Sequence, residues 1–125
     1  MKTFAESVDL AAAFGTVNEL WSPKVIAQVN DQYVKLAKVQ GEITWHSHEH
    51  EDELFYIVRG HLRIHYEDRV VDLPQGSLHV VPRGVQHKPV ADEECWIMLI
   101  ETVTTKHTGD VDMPYTKTLE QQLAG

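Results

Sequence analysis

Two histidines, a glutamate and a distant third histidine are the residues whose types and spacing suggest shared chemistry. His46 and His48 stand two residues apart in a segment that reads as a strand, so their side chains point to the same face. Glu53 opens the next predicted strand after a charged bend, beside the histidine pair if the two strands are antiparallel neighbours. His87 follows a Pro-x-Gly turn far along the chain, and a closed β architecture would bring it to the same place.

Three imidazoles and one carboxylate form a donor set that suits divalent Fe, Mn, Ni, Co, Cu or Zn. In an octahedral ion, four protein ligands leave two positions open, and an open position separates a reactive site from a purely structural one. By position alone, Asp52 competes with Glu53 as the carboxylate ligand. We therefore expect one divalent transition metal ion, whose identity the donor set leaves open.

The elements that must position these residues are short β-strands, because apolar side chains recur with period two from about residue 24. The predicted strands cover residues 24–30, 32–40, 42–48, 53–59, 61–67, 69–73, 77–81, 85–90 and 94–104. This series predicts an all-β sandwich or barrel in one domain that spans residues 1–125. A short N-terminal helix is predicted over about residues 5–14, and a polar C-terminal tail over about 105–125.

Composition bounds the classes of function. A net charge of −8 with neutral histidines repels phosphate backbones, so we expect no nucleic-acid partner. We expect no membrane association, since no apolar stretch approaches about 18 residues. We expect no secretory signal, because Glu6 and Asp9 soon follow Lys2 and no long apolar core comes after them. The single cysteine, Cys95, excludes an internal disulfide and lies in an apolar run, which predicts a buried thiol. Together these features predict a cytoplasmic protein.

Two motifs around the histidines and the glutamate make the chain resemble the cupin superfamily, in particular its small RmlC-like and mannose-6-phosphate-isomerase-like jelly rolls. The first motif runs through Gly41, His46-Ser47-His48, Glu53 and Gly60, and the second through Gly76, Pro82-Arg83-Gly84 and His87. Fifteen residues separate the two motifs, as in compact bacterial members. The chain departs from the pattern at two places. Four residues instead of the usual five separate Gly41 from His46, and Ala91 stands where the second motif often ends in Asn. Neither departure removes a ligand.

The resemblance implies a double-stranded β-helix, or jelly roll, whose barrel covers about residues 24–104. It implies that His46, His48, Glu53 and His87 hold one metal ion inside one end of the barrel. It favours Glu53 over Asp52, because six residues between Glu53 and Gly60 fit the first motif. A homodimer is also expected, because family members commonly cover an exposed sheet edge with a partner's strand.

The resemblance leaves two kinds of function open. The first is an enzyme for a small molecule, in which the metal is a Lewis acid or activates water or O₂, as in an isomerase, a lyase or a dioxygenase. The second is a non-catalytic module that binds a metabolite or a metal. In the enzyme, acid or base catalysis would fall to Glu53 or to a tyrosine or lysine that reaches the pocket.

Five further side chains are candidates for the substrate pocket. Phe55 and Ile57 share the strand face of Glu53, and Thr44 is in phase with His46. Phe55 and Ile57 would line the barrel below the metal, with core packing as their main role.

The remaining two pocket candidates are charged. Lys35 either projects into the cavity to bind an anionic group or lies outside the cavity. Glu101 ends an apolar strand, and it is a candidate for the cavity or for a contact that supports a metal ligand.

Other polar and aromatic residues are expected outside the cavity. His61 and His65 alternate with apolar residues that should face the core, so we expect them on an exterior surface or a dimer contact. His79 is expected to point outward in the same way. His50 in the charged bend should be solvated, and Trp45 should pack outside the cavity or in a dimer interface.

Overall fold

The computed structural model describes residues 6–105, 108–109 and 117–124, which form seven strands and two short helices. The strands are β1 (Lys24–Val29), β2 (Gln32–Glu42), β3 (Glu53–Arg59), β4 (His61–His65), β5 (Val70–Pro74), β6 (Leu78–Val81) and β7 (Lys88–Thr102). Helix α1 (Leu10–Phe14) precedes the strands and helix α2 (Leu119–Ala124) follows them. Across these ranges, no helix is both long enough and apolar enough to cross a membrane.

One antiparallel sheet contains all seven strands, and β7 is its organising element. β2 pairs with β7 along its whole length, and β1 pairs with the far edge of β2. On the other side of β7, the residues from Trp96 onward pair with β3, and β6 lies beyond β3. The first residues of β7 pair instead with β4, which carries β5 on its outer edge. The all-β class predicted from the sequence is confirmed.

The predicted strand 42–48 is wrong beyond its first residue. β2 ends at Glu42, and His46 forms only an isolated antiparallel bridge with His87. The break follows from Gly41, which has a φ of +80° and stands at a register shift in the pairing with β7. A left-handed residue interrupts a regular ladder, which leaves the segment that carries the histidines free to turn toward the sheet interior.

Two further expectations about the strands are wrong. Residues 88–90 and 94–102 of two predicted strands belong to one strand, because residues 92–94 stay extended while their acidic side chains remain exposed. In addition, β1, β5 and β6 each pair on one side only within the described chain. Hydrogen bonding therefore leaves the sheet open, and it does not form the closed barrel that the resemblance implied.

The main core fills the inside of the curved sheet, where alternate residues of the strands meet. Its fully buried members include Ile57, Leu62, Ile64 and Cys95. Burial raises the pKa of the Cys95 thiol to about 11, so the thiol stays protonated and acts as a small apolar side chain. The predicted buried cysteine is confirmed.

Helix α1 covers part of the outer face of the sheet. The Phe14 ring stacks on Trp96 of β7 with ring centroids 4.8 Å apart, and Leu36 of β2 lies in the same cluster. The helix begins after Asp9, whose Oδ1 accepts hydrogen bonds from the backbone N–H groups of the first turn. It is therefore shorter than the predicted helix 5–14, whose first residue lies outside the described ranges.

Candidate metal centre

The backbone brings the two motifs together at His46 and His87. Two reciprocal hydrogen bonds join them: His46 N donates to His87 O at 3.1 Å, and His87 N donates to His46 O at 2.9 Å. One turn away, Gly84 N donates to His48 O at 2.8 Å. Arg83 N donates to Asp52 Oδ1 at 2.9 Å. Asp52 thus anchors the Pro-Arg-Gly turn at the surface, which leaves Glu53 as the carboxylate that faces inward.

His46, His48, Glu53 and His87, called here the His/Glu cluster, meet in the sheet interior. Each offers one nitrogen or oxygen atom, and these four atoms all lie within 4.8 Å of one another. All four residues are buried, with exposures of 0–5%. Glu53 Oε1 lies 3.5 Å from His48 Nε2 and 3.7 Å from His87 Nε2. The donor atoms of both motifs therefore surround one point.

Hydrogen bonds to the backbone set the tautomer of two rings in the cluster. His46 Nδ1 lies 2.8 Å from Thr44 O, and His87 Nδ1 lies 2.9 Å from Val85 O. A carbonyl oxygen only accepts, so each Nδ1 carries the hydrogen and donates it. In a neutral ring the Nε2 atom then holds a lone pair, which is the arrangement found around metal-binding histidines.

The cluster favours a neutral His46 imidazole beside an ionised Glu53 carboxylate. Burial and then the neighbouring His87 lower the pKa of His46 to about 4, so His46 is neutral at pH 7. Burial opposes a charge on Glu53, but the hydrogen bond with Glu101 and the neighbouring His48 and His87 outweigh burial and hold the pKa of Glu53 well below its usual value. The electrostatic environment thus prepares the protonation states that a metal cation requires.

A buried chain of polar groups supports Glu53 from behind. Glu101 of β7 stands opposite Glu53 in the pairing of β3 with β7. Glu101 Oε1 lies 2.8 Å from the Lys35 ammonium, which also donates to the Gln122 side chain of α2. Burial and the neighbouring Glu53 raise the pKa of Glu101 well above its usual value, so Glu101 retains a proton that it can share with Glu53. The C-terminal helix is thereby connected to the cluster.

An apolar cavity of about 40 Å³ adjoins the cluster, and His46 and Glu53 form one end of it. Strands β2, β3 and β7 contribute Ala37, Val39, Phe55, Ile97 and Leu99 to its walls. β7 also contributes Pro89, and segments outside the strands contribute Trp21, Pro23 and Ile43. The space next to the cluster is therefore bounded mainly by apolar side chains.

The five pocket candidates that the sequence predicts occupy different places in the structure. Phe55 lines the cavity, whereas Ile57 lies fully buried in the core below it. Thr44 does not belong to the lining, because the neighbouring Ile43 takes that place, and Thr44 contributes its carbonyl oxygen to His46.

The two charged pocket candidates, Lys35 and Glu101, both point inward but lie outside the cavity lining. Lys35 is fully buried with its ammonium 2.8 Å from Glu101 Oε1, so the ammonium is committed to a carboxyl group of the protein. Glu101 instead takes the supporting place behind Glu53.

The expectation that His79 points outward is wrong. His79 is half-buried, and its Nε2 atom lies 2.7 Å from the hydroxyl oxygen of Tyr66, which is buried in the core. The neighbouring Leu78 and Val80 occupy the outward positions, with 60% and 44% of their surfaces exposed. The prediction placed the wrong face of this strand toward the core, because its apolar residues Leu78 and Val80 face away from the core.

The other histidines outside the cluster behave mostly as predicted. His61 is exposed and pairs with Asp72 at 2.8 Å, and His50 is exposed in the charged bend. His65 is half-buried on β4. Trp45 is 39% exposed and lies under the Lys88 ammonium, outside the cavity lining.

Sequence reasoning missed Trp21, which forms one wall of the cavity. Trp21 has a φ of +57°, a left-handed conformation that is rare for a bulky side chain. Its backbone N–H donates to Lys38 O at 2.8 Å, and its indole N–H donates to Gln40 O at 2.9 Å. The residue lies between helix and strand patterns, where neither period applies; an aromatic residue just before Ser22-Pro23 was the available signal.

Residues 108–109 cover the outer side of His46. Thr108 is fully buried, and Gly109 has a φ of +59°. A Cβ atom at Gly109 would lie 2.1 Å from Ser47 O and 3.3 Å from His46 Cδ2. Residues 108–109 thus pack directly on the first motif, and Gly109 does so at a distance that only glycine permits.

Gly109→Ala should therefore destabilise the fold and disturb His46. We expect a loss of about 2 kcal/mol in the free energy of unfolding, from backbone strain together with the clash at Ser47. Gly41→Ala is the matched control, since Gly41 has a φ of +80° but no atom of the described residues lies within 4 Å of the added Cβ. Urea denaturation should show a loss of about 1 kcal/mol for the control. Equal losses in the two variants would contradict the close packing of Gly109.

The described geometry agrees with comparisons to known proteins. A family model described as a cupin domain matches residues 32–101, more than half of the chain. The chain is 35% identical over 81 residues to the uncharacterized protein YdbB of Bacillus subtilis. The aligned region covers 64% of this chain and 72% of YdbB.

Two crystal structures are similar to this chain in fold and in sequence. One is a cupin-2 domain containing protein from Shewanella frigidimarina, with a TM-score of 0.75 and 45% identity over 76% of this chain and 93% of that protein. Another is protein NMB1881 from Neisseria meningitidis, with a TM-score of 0.72 and 28% identity over 78% of this chain and 99% of that protein. The resemblance inferred from the two motifs is confirmed, and the chain belongs to the cupin family.

Proposed function

We propose that this cupin binds one divalent transition metal ion (Fe, Mn, Ni, Co, Cu or Zn) through the His/Glu cluster and acts as an enzyme on a small molecule. The observation that carries the proposal is the convergence of four buried donor atoms within 4.8 Å. Such an ion, when bound, supplies Lewis acidity or the activation of water or O₂, as in isomerases, lyases and dioxygenases.

The residues present fit a cation. His87 Nε2 is buried, and it makes no hydrogen bond within the described part of the chain. Its Nδ1–H donates to Val85 O. In the neutral ring, Nε2 therefore holds a lone pair, and this lone pair points into the cluster without receiving a hydrogen bond from a described residue. A buried polar atom that makes no hydrogen bond carries a desolvation cost, and a cation at this place would remove it.

Glu53 is the candidate for proton transfer among the residues of the chain. Its carboxylate faces the cavity, and the buried acid of Glu101 lies behind it. Glu101 shares its proton with Glu53, and the Lys35 ammonium lies beside this carboxyl pair at 2.8 Å from Glu101 Oε1. The apolar walls keep bulk water away from this carboxylate, which strengthens its interactions with any bound group.

Metal analysis of untagged protein, purified without chelator, tests the metal site. We expect about one equivalent of a single divalent transition metal, measured by inductively coupled plasma mass spectrometry. Less than about a tenth of an equivalent, even after growth in metal-supplemented medium, would contradict the proposal.

Turnover separates the enzyme from a binding module. A panel of small carbonyl and hydroxyl compounds, assayed with the metal-loaded and the chelated protein, should contain at least one compound that is converted only by the loaded form. Stoichiometric metal with binding of such compounds but no conversion would favour the non-catalytic module.

We also propose that the protein is a cytoplasmic homodimer. The free edge strand β6 exposes Leu78 and Val80, and an apolar edge of this kind favours pairing with a second copy. The single buried thiol is compatible with a reducing compartment. Sedimentation equilibrium of the purified protein measures the oligomeric state.

A further inference from the structure

We propose that the apolar cavity selects a ligand whose body is small, uncharged and apolar, and that Trp21 is the residue that determines this selectivity. The ligand would place a donor head at the His/Glu cluster and about three or four carbon atoms between Trp21 and Phe55. The head depends on the proposed metal site, whereas the selectivity for the body depends only on the cavity.

The walls of the cavity provide the first argument. Its lining contains nine apolar residues and two polar ones, His46 and Glu53, which both lie at the cluster end. Among the described lining residues there is no Lys or Arg, so none of them can neutralise a phosphate or carboxylate on the ligand body. An apolar lining with polar groups at one end favours a ligand that is polar at one end only.

The fate of Lys35 provides the second argument. Lys35 is the cation that the strand pattern could have placed near the ligand, but it is fully buried at 2.8 Å from Glu101 and also hydrogen-bonded to Gln122. Redirecting this ammonium to a ligand would leave the Glu101 carboxyl without its partner in the protein interior. A phosphorylated body is therefore excluded by the absence of an available cation among the described lining residues.

The size of the cavity limits the body. A volume of about 40 Å³ corresponds to roughly three or four water-sized groups, since one such group needs about 10–15 Å³ of this kind of volume. The cavity therefore fits a short aliphatic chain or part of a small ring.

Trp21 marks the cavity as a built site. A bulky residue in the left-handed region costs on the order of 1–3 kcal/mol and persists only where its surroundings enforce it. Two hydrogen bonds enforce it here, one from the backbone to Lys38 and one from the indole to Gln40. Together they hold Trp21 in the lining of the cavity to which His46 and Glu53 also belong. The fixed ring is thus the wall that a ligand body meets.

Straight-chain alkyl hydroxamic acids test the inference, because their head is constant while the chain grows from one carbon in acetohydroxamic acid to five. Dissociation constants are measured by NMR titration of the Trp21 indole N–H, once with zinc-loaded protein and once in the presence of EDTA. In the wild type we expect each added carbon up to the third or fourth to tighten binding about three- to fourfold. Beyond that length the affinity should stay constant, and phosphonoacetohydroxamic acid should bind at least about tenfold more weakly than butyrohydroxamic acid.

Variants of the tryptophans locate the effect. Trp21→Ala should reduce the gain in affinity to less than about twofold per added carbon, measured by isothermal titration calorimetry. Trp21→Phe should keep most of this gain, which would show that the loss in Trp21→Ala is not a folding defect. Trp45→Ala is the matched control, because Trp45 lies outside the cavity lining, and it should keep the full gain. A flat series in the wild type, or an unchanged series in Trp21→Ala, would overturn the inference.

The same titrations separate this inference from the proposed function. If the protein takes up no zinc and the affinities in zinc and in EDTA are equal, the proposed metal site is wrong. The dependence of affinity on chain length still tests the proposed selectivity of the cavity in that case. Zinc uptake with a flat series leaves the metal site standing and removes the proposed selectivity.

Discussion

His87→Ala is expected to weaken zinc binding by at least about 100-fold and to leave the purified protein without stoichiometric metal. His87 is fully buried, and its Nε2 atom is one of the four converging donors. Removing a group that merely supports a metal ligand already costs about 10–100-fold in affinity, so removing the ligand itself should cost more. Competition titration of zinc against a chromogenic chelator measures the change.

The control for this variant is His65→Ala. His65 is half-buried on β4 and does not belong to the His/Glu cluster, so its loss should leave about one equivalent of metal. Similar far-ultraviolet circular dichroism of the two variants would show that the fold is retained. Equal loss of metal in both would contradict the assignment of the cluster.

Acidification from pH 7 to pH 4 is expected to lower the free energy of unfolding of the metal-free protein by about 3 kcal/mol through His46 alone. Burial and the neighbouring His87 lower the pKa of His46 from 6.5 to about 4 in the folded state. Between these values the unfolded chain binds more protons than the folded one, so stability rises with pH and is lost as pH falls. Each unit of pKa difference corresponds to about 1.4 kcal/mol.

His46→Gln isolates this contribution, because glutamine is polar and of similar size but does not titrate. Urea denaturation of both proteins at a series of pH values gives the slope of stability against pH. The wild type should show the steeper loss between pH 6.5 and pH 4, and the difference between the two curves is the effect of His46. Identical slopes would show that the pKa of His46 is the same in the folded and unfolded states.

The residues of the candidate site could be predicted because their signals are local. The i, i+2 spacing of His46 and His48 and the distances to neighbouring glycines do not depend on the strand register. The phase of Phe55 relative to Glu53 was equally local, and Phe55 does line the cavity. The choice of Glu53 over Asp52 agrees with the hydrogen bond that occupies Asp52 at Arg83.

The supporting contacts could not be predicted because they cross the sheet. That Glu101 lies opposite Glu53, and that Lys35 turns toward Glu101, depends on the pairing register of three strands that are far apart in sequence. The phase of His79 was wrong for a related reason, since Leu78 and Val80 are apolar but face outward. Alternation identifies two faces, but only the packed sheet shows which of them is inside.

The position of Trp21 follows from neither period. Its left-handed backbone is imposed by hydrogen bonds to β2, so its place at the cavity becomes visible only when the segment is seated on that strand. The open sheet could not be predicted for a similar reason. The pattern of apolar residues indicates where strands lie, but it does not show which strand edges pair.

Cys95 gives this protein an internal probe of its own opening. Because the thiol is fully enclosed and has a pKa of about 11, an alkylating reagent reaches it only in molecules whose core has transiently separated. With a single cysteine in the chain, the rate of labelling reports on one event under native conditions, without denaturant. Mass spectrometry of labelled samples can therefore distinguish variants that loosen the core from variants that alter only the chemistry beside it.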